Sequence, residues 1–383
     1  MPSKRFHVLV VFGTRPEAIK LAPVIHELAR ARAQFKTSVC ISAQHRDLLE
    51  PILRWFRIPV GDDLDVMRPN QELCALTGRI LERFHEVLAS RRPGLVLVQG
   101  DTTTVMAASL AAFYHRVPVG HVEAGLRTLD PYSPFPEEIN RRLTSHLADL
   151  HFAPTPWART NLLKEGISPK RIFVTGNTVI DAFLETRARV VRHPPVLATL
   201  AGLNLDARKL IVVTTHRREN FGTGLANICK ALRRLATQRD DIEIVLPVHP
   251  NPNVQGVVRP LLGAIDRIHL IEPLEYPQFV RLLSRAYLAL TDSGGIQEEM
   301  PSLGRPVLVM RDKTERPEGV EAGVCKLVGT STDVIVRTVE QLLDQPQAYA
   351  QFAKPRNPFG DGKAAQRIVA TLKKLYPRTP SSK

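Results

Sequence analysis

Apolar runs of strand length alternate along the chain with stretches whose apolar residues recur at helical spacing. In the first half, Phe6–Phe12, Thr37–Ile41, Leu95–Gln99, Val117–Val122, His151–Ala153 and Ile172–Val174 predict strands, while Pro16–Arg30 and Thr103–His115 predict helices. The second half repeats the alternation with strands at Leu210–Thr214, Ile242–Pro247, Ile268–Ile271, Tyr287–Thr291 and Val307–Met310. Such alternation predicts parallel sheets, so the fold class is α/β, two Rossmann-like units in tandem. The breakers Arg192-His-Pro-Pro195 and Gly202-Leu-Asn204 set the join between Asp181 and Lys209. A last amphipathic helix is expected near Lys363–Tyr376, after the turn Asn357-Pro-Phe-Gly-Asp-Gly362, with a frayed tail from Pro377 to Lys383.

Composition narrows the class further. A chain of 383 residues suits two ordinary domains. The longest apolar runs, such as Leu95–Val98 and Leu210–Val213, fall far short of the roughly 20 residues a spanning helix needs. No signal peptide is visible, because Phe6–Phe12 runs into a Gly-Thr-Arg-Pro turn rather than a small-residue cleavage site. Cys40, Cys74, Cys229 and Cys325 lack metal spacing and suit burial in a reducing cytoplasm. A net charge of +14, from 52 basic and 38 acidic residues, raises the possibility of a nucleic-acid partner. The excess is spread as isolated arginines along helices, without aromatic-interleaved basic stripes, so a field that draws in an anionic small molecule accounts for it better.

In open α/β sheets, ligands bind beyond the carboxyl ends of the strands, so the strand ends hold the candidate chemistry. The run Asp292-Ser-Gly-Gly-Ile-Gln-Glu-Glu299 follows a strand. Its glycines suit close approach of backbone to a diphosphate at a helix start, and a carboxylate behind them suits sugar hydroxyls. Gly13-Thr-Arg-Pro-Glu-Ala-Ile-Lys20 places Arg15 and Lys20 to meet a polyanion, but lacks the glycine fingerprint of dinucleotide binding. Gly100-Asp101-Thr-Thr-Thr104 sets Asp101 either as a helix cap or as a reactive carboxylate. Glu123, in His121-Val-Glu-Ala-Gly-Leu-Arg127, closes a strand where no cap is needed, and with Asp101 at a neighbouring strand end is a candidate acid/base pair. Glu137 and Glu138 open a helix after a proline-rich loop. Thr215-His216-Arg217-Arg218-Glu-Asn220 and Val248-His249-Pro-Asn end two strands of the second half, and Arg311-Asp-Lys-Thr-Glu-Arg316 follows another. Grouped cations of this kind imply an anion nearby. His216 and His249 lack a third ligand at metal spacing, so no metal is expected.

The ordered co-occurrence of Phe12-Gly-Thr-Arg-Pro-Glu-Ala, Gly-Asp-Thr-Thr-Thr, His-Val-Glu-Ala-Gly-Leu-Arg, Pro-Glu-Glu-x-Asn-Arg, Thr-His-Arg-Arg-Glu-Asn and Thr-Asp-Ser-Gly-Gly-Ile-Gln-Glu-Glu resembles the bacterial non-hydrolysing UDP-N-acetylglucosamine 2-epimerase family over nearly the whole chain. The resemblance implies a glycosyltransferase-B-like fold with an interdomain cleft. It gives a first domain over residues 1–185, with a C-terminal helix at about 360–376 packing back on it, and a UDP-binding domain over 205–359. It also implies a cytoplasmic, usually homodimeric isomerase that needs neither metal nor NAD and serves cell-surface polysaccharide synthesis. UDP would leave by anti-elimination to give 2-acetamidoglucal and return by syn addition, inverting C2.

On the matching positions, Asp101, Glu123 and Glu137 are the catalytic carboxylates, and which serves which face of C2 stays open. His216, counted with them, binds the diphosphate together with Arg15, Ser293, Gly294 and Gly295, supported by Lys20 and Arg316. Glu299 takes the ribose and Phe279 lies near the uracil. Bacterial members are activated by the UDP-sugar at a second site, for which Gln44, His45, Gln71, Arg217 and His249 are candidates. Met300 and Arg305 depart from the family pattern without removing a functional group. Rival readings are the hydrolysing epimerase, an enzyme acting on a diacetamido UDP-sugar, and a glycosyltransferase of the same fold. Neither a nucleic acid nor a membrane is an expected partner.

Overall fold

The structure is a computed structural model that describes residues 5–42, 46–68, 71–200, 207–353 and 356–377. The Gly202-Leu-Asn204 breaker and the tail beyond Pro377 lie outside the described residues. The chain divides into two compact units, one running to Ala182 and resuming at Phe359, the other Phe183–Pro358. The division falls inside the helix Thr178–Arg192.

The first unit holds β1 (Phe6–Phe12), β2 (Phe35–Ile41), β3 (Asp62–Asp63), β4 (Leu95–Gln99), β5 (Val119–Val122), β6 (Leu150–Ala153) and β7 (Ile172–Val174). They form one sheet in the order β3-β2-β1-β4-β5-β6-β7. The second holds β8 (Lys209–Thr214), β9 (Ile242–Pro247), β10 (Ile268–Ile271), β11 (Leu288–Thr291), β12 (Val307–Val309) and β13 (Cys325–Leu327), in the order β10-β9-β8-β11-β12-β13. Every pairing is parallel. Parallel strands flanked by helices are buried on both faces, which is why β4 and β8 read as unbroken apolar runs. Each strand order reverses direction once, between β1 and β4 and between β8 and β11. Ligand sites form where helices diverge at such switch points.

The strands expected from the sequence are present with ends shifted by a residue or two, while β3 and β13 went unpredicted because edge strands of two and three residues make no recognisable run. The helix Thr103–Tyr114 is apolar on nearly all sides, as befits one packed inside the first unit. Its first-unit core includes Leu9, Val11, Phe84, Val96, Val98 and Ala108, all closed to solvent. Ile211, Val213, Ile244, Leu246, Leu288 and Leu290 do the same in the second. The C-terminal helix Ala364–Leu375 belongs to the first unit. Asp181 accepts from the amides of Ala364 (3.1 Å) and Ala365 (2.9 Å) at its start, and Tyr376 stacks on Phe6 at 4.1 Å. Three cysteines are buried as expected, but Cys74 is exposed on the helix Leu73–Arg91, whose apolar stripe faces the other way.

Candidate active site

In the first unit, two turns straddle the switch point. Gly13 begins the turn after β1, and a Cβ there would meet Ser42 Oγ at 2.1 Å and Thr104 Oγ1 at 2.6 Å, so only glycine fits. Glu17, one turn into the helix Arg15–Arg30, accepts from the amides of Gly13 (2.9 Å) and Thr14 (2.6 Å). Its other oxygen accepts from Thr102 Oγ1 (2.6 Å), which ties this turn to the one after β4. Thr102 is also the N-cap of Thr103–Tyr114. The capping alternative for Asp101 is thereby taken by its neighbour.

Asp101 instead receives a hydrogen bond from Arg141 Nη2. Glu123, just past β5, holds a left-handed backbone at φ 64° and is buried. Non-glycine residues rarely adopt this conformation, and it is common at functional positions. Lys20 Nζ lies 2.5 Å from Glu123 Oε2, and Asn177 Nδ2 donates to the same oxygen at 2.8 Å. Asn177 is itself fixed by the Val179 amide on its Oδ1 (3.1 Å) and by donation of its own amide to the Phe359 carbonyl (2.7 Å). The structure also separates the two glutamates of the proline-rich loop. Glu138 is closed to solvent and accepts from the amides of Thr128 (3.0 Å) and Leu129 (3.2 Å) and from Arg142 Nε (3.1 Å), which makes it a brace. Glu137 opens the helix Glu137–Leu147 half-buried.

The second switch point is joined by Asp292, at the end of β11. Its side chain is fully buried, and Oδ2 accepts from Thr215 Oγ1 (3.1 Å), the amides of His216 and Arg217 (2.9 Å each) and Asn220 Nδ2 (3.1 Å). Oδ1 lies 3.2 Å from His216 Nδ1. Burial pushes this carboxyl up, but His216 and the two amides outweigh it, so its pKa lies below the ordinary value. The His216 ring lies nearly parallel to His249, centroids 5.5 Å apart and planes 18° apart. Burial, then the neighbouring His216, lower the His249 pKa.

Ser293, Gly294 and Gly295 begin the short helix Gly294–Glu299. A Cβ on Gly294 would lie 2.4 Å from Arg316 Nη1, whereas on Gly295 it would meet nothing closer than Ser293 Oγ at 3.9 Å. The first glycine is therefore demanded by the protein itself. Arg316 is gripped by Glu298 through Nε and by Glu315 through Nη1 (2.5 Å). Although burial pushes the Glu315 carboxyl up, Arg316, Arg311 and Arg217 hold it well below the ordinary range. Of the two carboxylates behind the glycines, Glu298 braces Arg316. Glu299 is buried and accepts from Tyr276 Oη at 3.2 Å, on the helix that carries the half-buried Phe279.

The sequence profile described as UDP-N-acetylglucosamine 2-epimerase matches residues 27–373. The chain belongs to the UDP-N-acetylglucosamine 2-epimerase family. A Yersinia pestis protein named UDP-N-acetylglucosamine 2-epimerase is 56% identical over 369 residues, covering 96% of this chain and 98% of its own. Among solved structures, the UDP-GlcNAc 2-epimerase of Neisseria meningitidis bound to UDP-GlcNAc aligns with a TM-score of 0.92 at 49% identity, over 96% of this chain and 100% of that one. The Methanocaldococcus jannaschii UDP-GlcNAc 2-epimerase in complex with UDP-GlcNAc and UDP aligns with a TM-score of 0.83 at 34% identity, over 96% and 100%. The fold is thus the glycosyltransferase-B type with two Rossmann-like units.

Within this epimerase-family frame the expected residues fall into two groups. Asp101, Glu123, Glu137, Arg15 and Lys20 sit at strand ends or in the first two helical turns of the first unit, Lys20 against Glu123. His216, Phe279, Ser293, Gly294, Gly295, Glu299 and Arg316 sit in the second. Of the residues proposed for a second ligand, Gln71 is held by Arg79 in the first unit. Arg217 reaches Glu315 at 3.6 Å, and His249 stacks on His216. Gln44 and His45 lie outside the described residues. Among the described residues, no cluster of three or more His, Cys, Asp or Glu is set to hold a metal, and no helix is long and apolar enough to cross a membrane.

Three site residues escaped the sequence reading: Glu17, Asn177 and Asp292. Glu17 and Asp292 stood inside quoted motifs, but a carboxylate beside a turn looks the same whether it binds ligand or backbone. Asn177, in Gly-Asn-Thr after β7, offered only its strand-end position as a signal.

Proposed function

We propose that the chain interconverts UDP-N-acetylglucosamine and UDP-N-acetylmannosamine without net hydrolysis. What carries the reading is the coexistence of two carboxylates at adjacent strand ends, Asp101 after β4 and Glu123 after β5, with a histidine and a Ser-Gly-Gly turn at the second switch point. Relatives solved with UDP-GlcNAc, and with UDP-GlcNAc and UDP, support a UDP-sugar as the ligand.

The C2 proton is not acidic, so the C1–O bond must weaken before it can leave. That calls for groups that bind UDP more strongly as its charge grows. His216, Ser293, the Gly294 and Gly295 amides and Arg15 take this role, with Arg316 behind them. Glu299 holds the ribose and Phe279 packs near the base. A carboxylate of the Asp101, Glu123 and Glu137 set accepts the C2 proton as the C1–O electron pair passes to UDP by anti-elimination. Syn re-addition of UDP to 2-acetamidoglucal, with a proton delivered to the other face of C2, completes the inversion and leaves the sum redox-neutral. Inversion needs two proton-carrying groups, which fits a set of carboxylates rather than one. Lys20 and Asn177 on Glu123 Oε2, and Arg141 on Asp101, set the orientation of two of these candidates. Arg217 and His249 adjoin His216, so a second UDP-sugar engaged by them acts on the diphosphate histidine directly.

Incubation with UDP-N-acetylglucosamine in D2O, without acceptor, tests the reading. Deuterium at C2 of both UDP-sugars is the expected result. Release of free N-acetylmannosamine would establish the hydrolysing reaction instead, and absence of exchange would point to a glycosyltransferase.

A further inference from the structure

We propose that Asp292 is a positioning residue for His216, holding the imidazole with Nδ1 protonated so that Nε2 is presented to the departing diphosphate. The inference rests on the reading above, in which His216 meets the UDP. Two features of Asp292 carry it. Its Oδ2 is saturated by four donors, all from the segment Thr215–Asn220, so the carboxylate cannot rotate without leaving buried amides unpaired. Its Oδ1, enclosed in protein, accepts no hydrogen bond of good geometry among the described residues, and His216 Nδ1 stands 3.2 Å from it, within ion-pair distance.

A carboxylate oxygen can only accept, so Nδ1 satisfies this buried oxygen only by carrying a hydrogen. The His249 ring lies nearly parallel beside that of His216, centroids 5.5 Å apart. The bond made by one ring nitrogen sets the chemistry of the other. When Nε2 carries a hydrogen as well, that Nε2–H donates to the phosphate oxygen as the C1–O electron pair arrives there. No proton needs to be lost for good, because the same bond is available when UDP returns. Asp292 touches neither sugar nor phosphate in this scheme and acts through His216 alone.

Asp292→Asn tests it in the full chain. The amide oxygen can keep the four donors, which turns the amide NH2 toward His216 Nδ1 and demands the opposite tautomer. Proton–nitrogen correlation spectra of histidine-labelled protein should show Nδ1–H at His216 in the parent and Nε2–H alone in the variant, whose ring cannot carry both hydrogens against the amide NH2. kcat should fall by about a hundredfold, while UDP affinity, read by titration calorimetry, changes by less than about tenfold. Thr215→Val is the comparison. It removes one Oδ2 donor, and should lower the unfolding midpoint while leaving tautomer and kcat within about twofold.

An unchanged tautomer in Asp292→Asn, or kcat within about threefold of the parent, would overturn the proposal. If Asp292→Asn does not fold, the parent spectrum decides, because a bare Nδ1 at neutral pH overturns it and Nδ1–H upholds it. His216→Gln separates the two levels. Normal turnover in that variant defeats the role of His216 itself, whereas a dead His216→Gln beside an active Asp292→Asn defeats only the role of Asp292.

Discussion

The two switch points solve one problem with the same device and different consequences. In each unit a buried carboxylate ties together two turns that diverge from neighbouring strands. In the first it is Glu17, reaching from the helix after β1 to Thr102 beyond β4. In the second it is Asp292, reaching from the end of β11 to the turn after β8. Glu17 meets only amides and a hydroxyl, and burial, the largest influence on it, raises its pKa. Asp292 meets as many backbone amides and a histidine besides, and its pKa is lowered. A bridging carboxylate is thus a solution to backbone geometry first. It becomes part of the chemistry only where a titratable side chain faces its second oxygen.

The same contrast runs through the surrounding charges. In the first unit the candidate groups are carboxylates, two of them met by a cation: Arg141 on Asp101 and Lys20 on Glu123. In the second they are cations and a histidine, each met by a buried carboxylate: Glu298 and Glu315 on Arg316, Glu315 on Arg311, Asp292 on His216. Buried charge is expensive unless paired, so each unit carries its own counter-ions. One unit is suited to moving protons and the other to holding an anion.

The sharpest test of that division is Asp101→Asn or Glu123→Gln, each expected to lower kcat by about a thousandfold while UDP affinity stays near the parent value. Loss of UDP binding as the main effect would erase the division. A smaller effect separates the two bridges. Glu17→Ala leaves two buried amides unpaired and should cost about 3 kcal/mol in urea unfolding. Glu17→Gln should cost about 1 kcal/mol or less, because its carbonyl keeps the amides and the Thr102 hydroxyl rotates to accept from its NH2. Equal losses would mean that the Glu17 charge matters as much as that of Asp292.

The smallest effect concerns a buried pair beside the carboxylates. His121 and His151 are paired in register on β5 and β6 and closed to solvent. Burial, the largest cause in each, lowers their pKa to about 4 and about 3. Their folded pKa values lie below the unfolded one near 6.5, so on acidification the unfolded chain takes up protons first. Stability is therefore full above that value and falls as the pH drops toward the folded pKa values. His151→Leu, which replaces a ring whose two nitrogens are unpaired, should flatten the loss between pH 6 and pH 4 by up to about 1.4 kcal/mol per pH unit. An unchanged slope in unfolding midpoints across that range would show that His151 is protonated in the folded chain.

Most of the architecture was legible before any coordinates. Unbroken apolar runs such as Leu95–Gln99 and Ile242–Pro247 are buried on both faces and leave a clear signal, whereas β3 and β13, short and at sheet edges, leave none. The strand-end motifs also pointed to the chemistry, because a glycine pair, a histidine or a carboxylate directly after a strand has few other reasons to be there.

What the sequence determined by itself was local: which segments become strands and helices, which residues stand at strand ends, and, through ordered motifs, the family. Only the tertiary structure decided which charge faces which. The strand order that sets β1 beside β4 and β8 beside β11 depends on pairings between distant segments, and a carboxylate's role depends on what those pairings bring against it. That is why Glu137 and Glu138, adjacent in sequence, part into a half-buried candidate and a buried brace. It is also why Thr102 rather than Asp101 caps its helix, and why Asp292, one residue before a glycine-rich turn, belongs to the histidine of another strand.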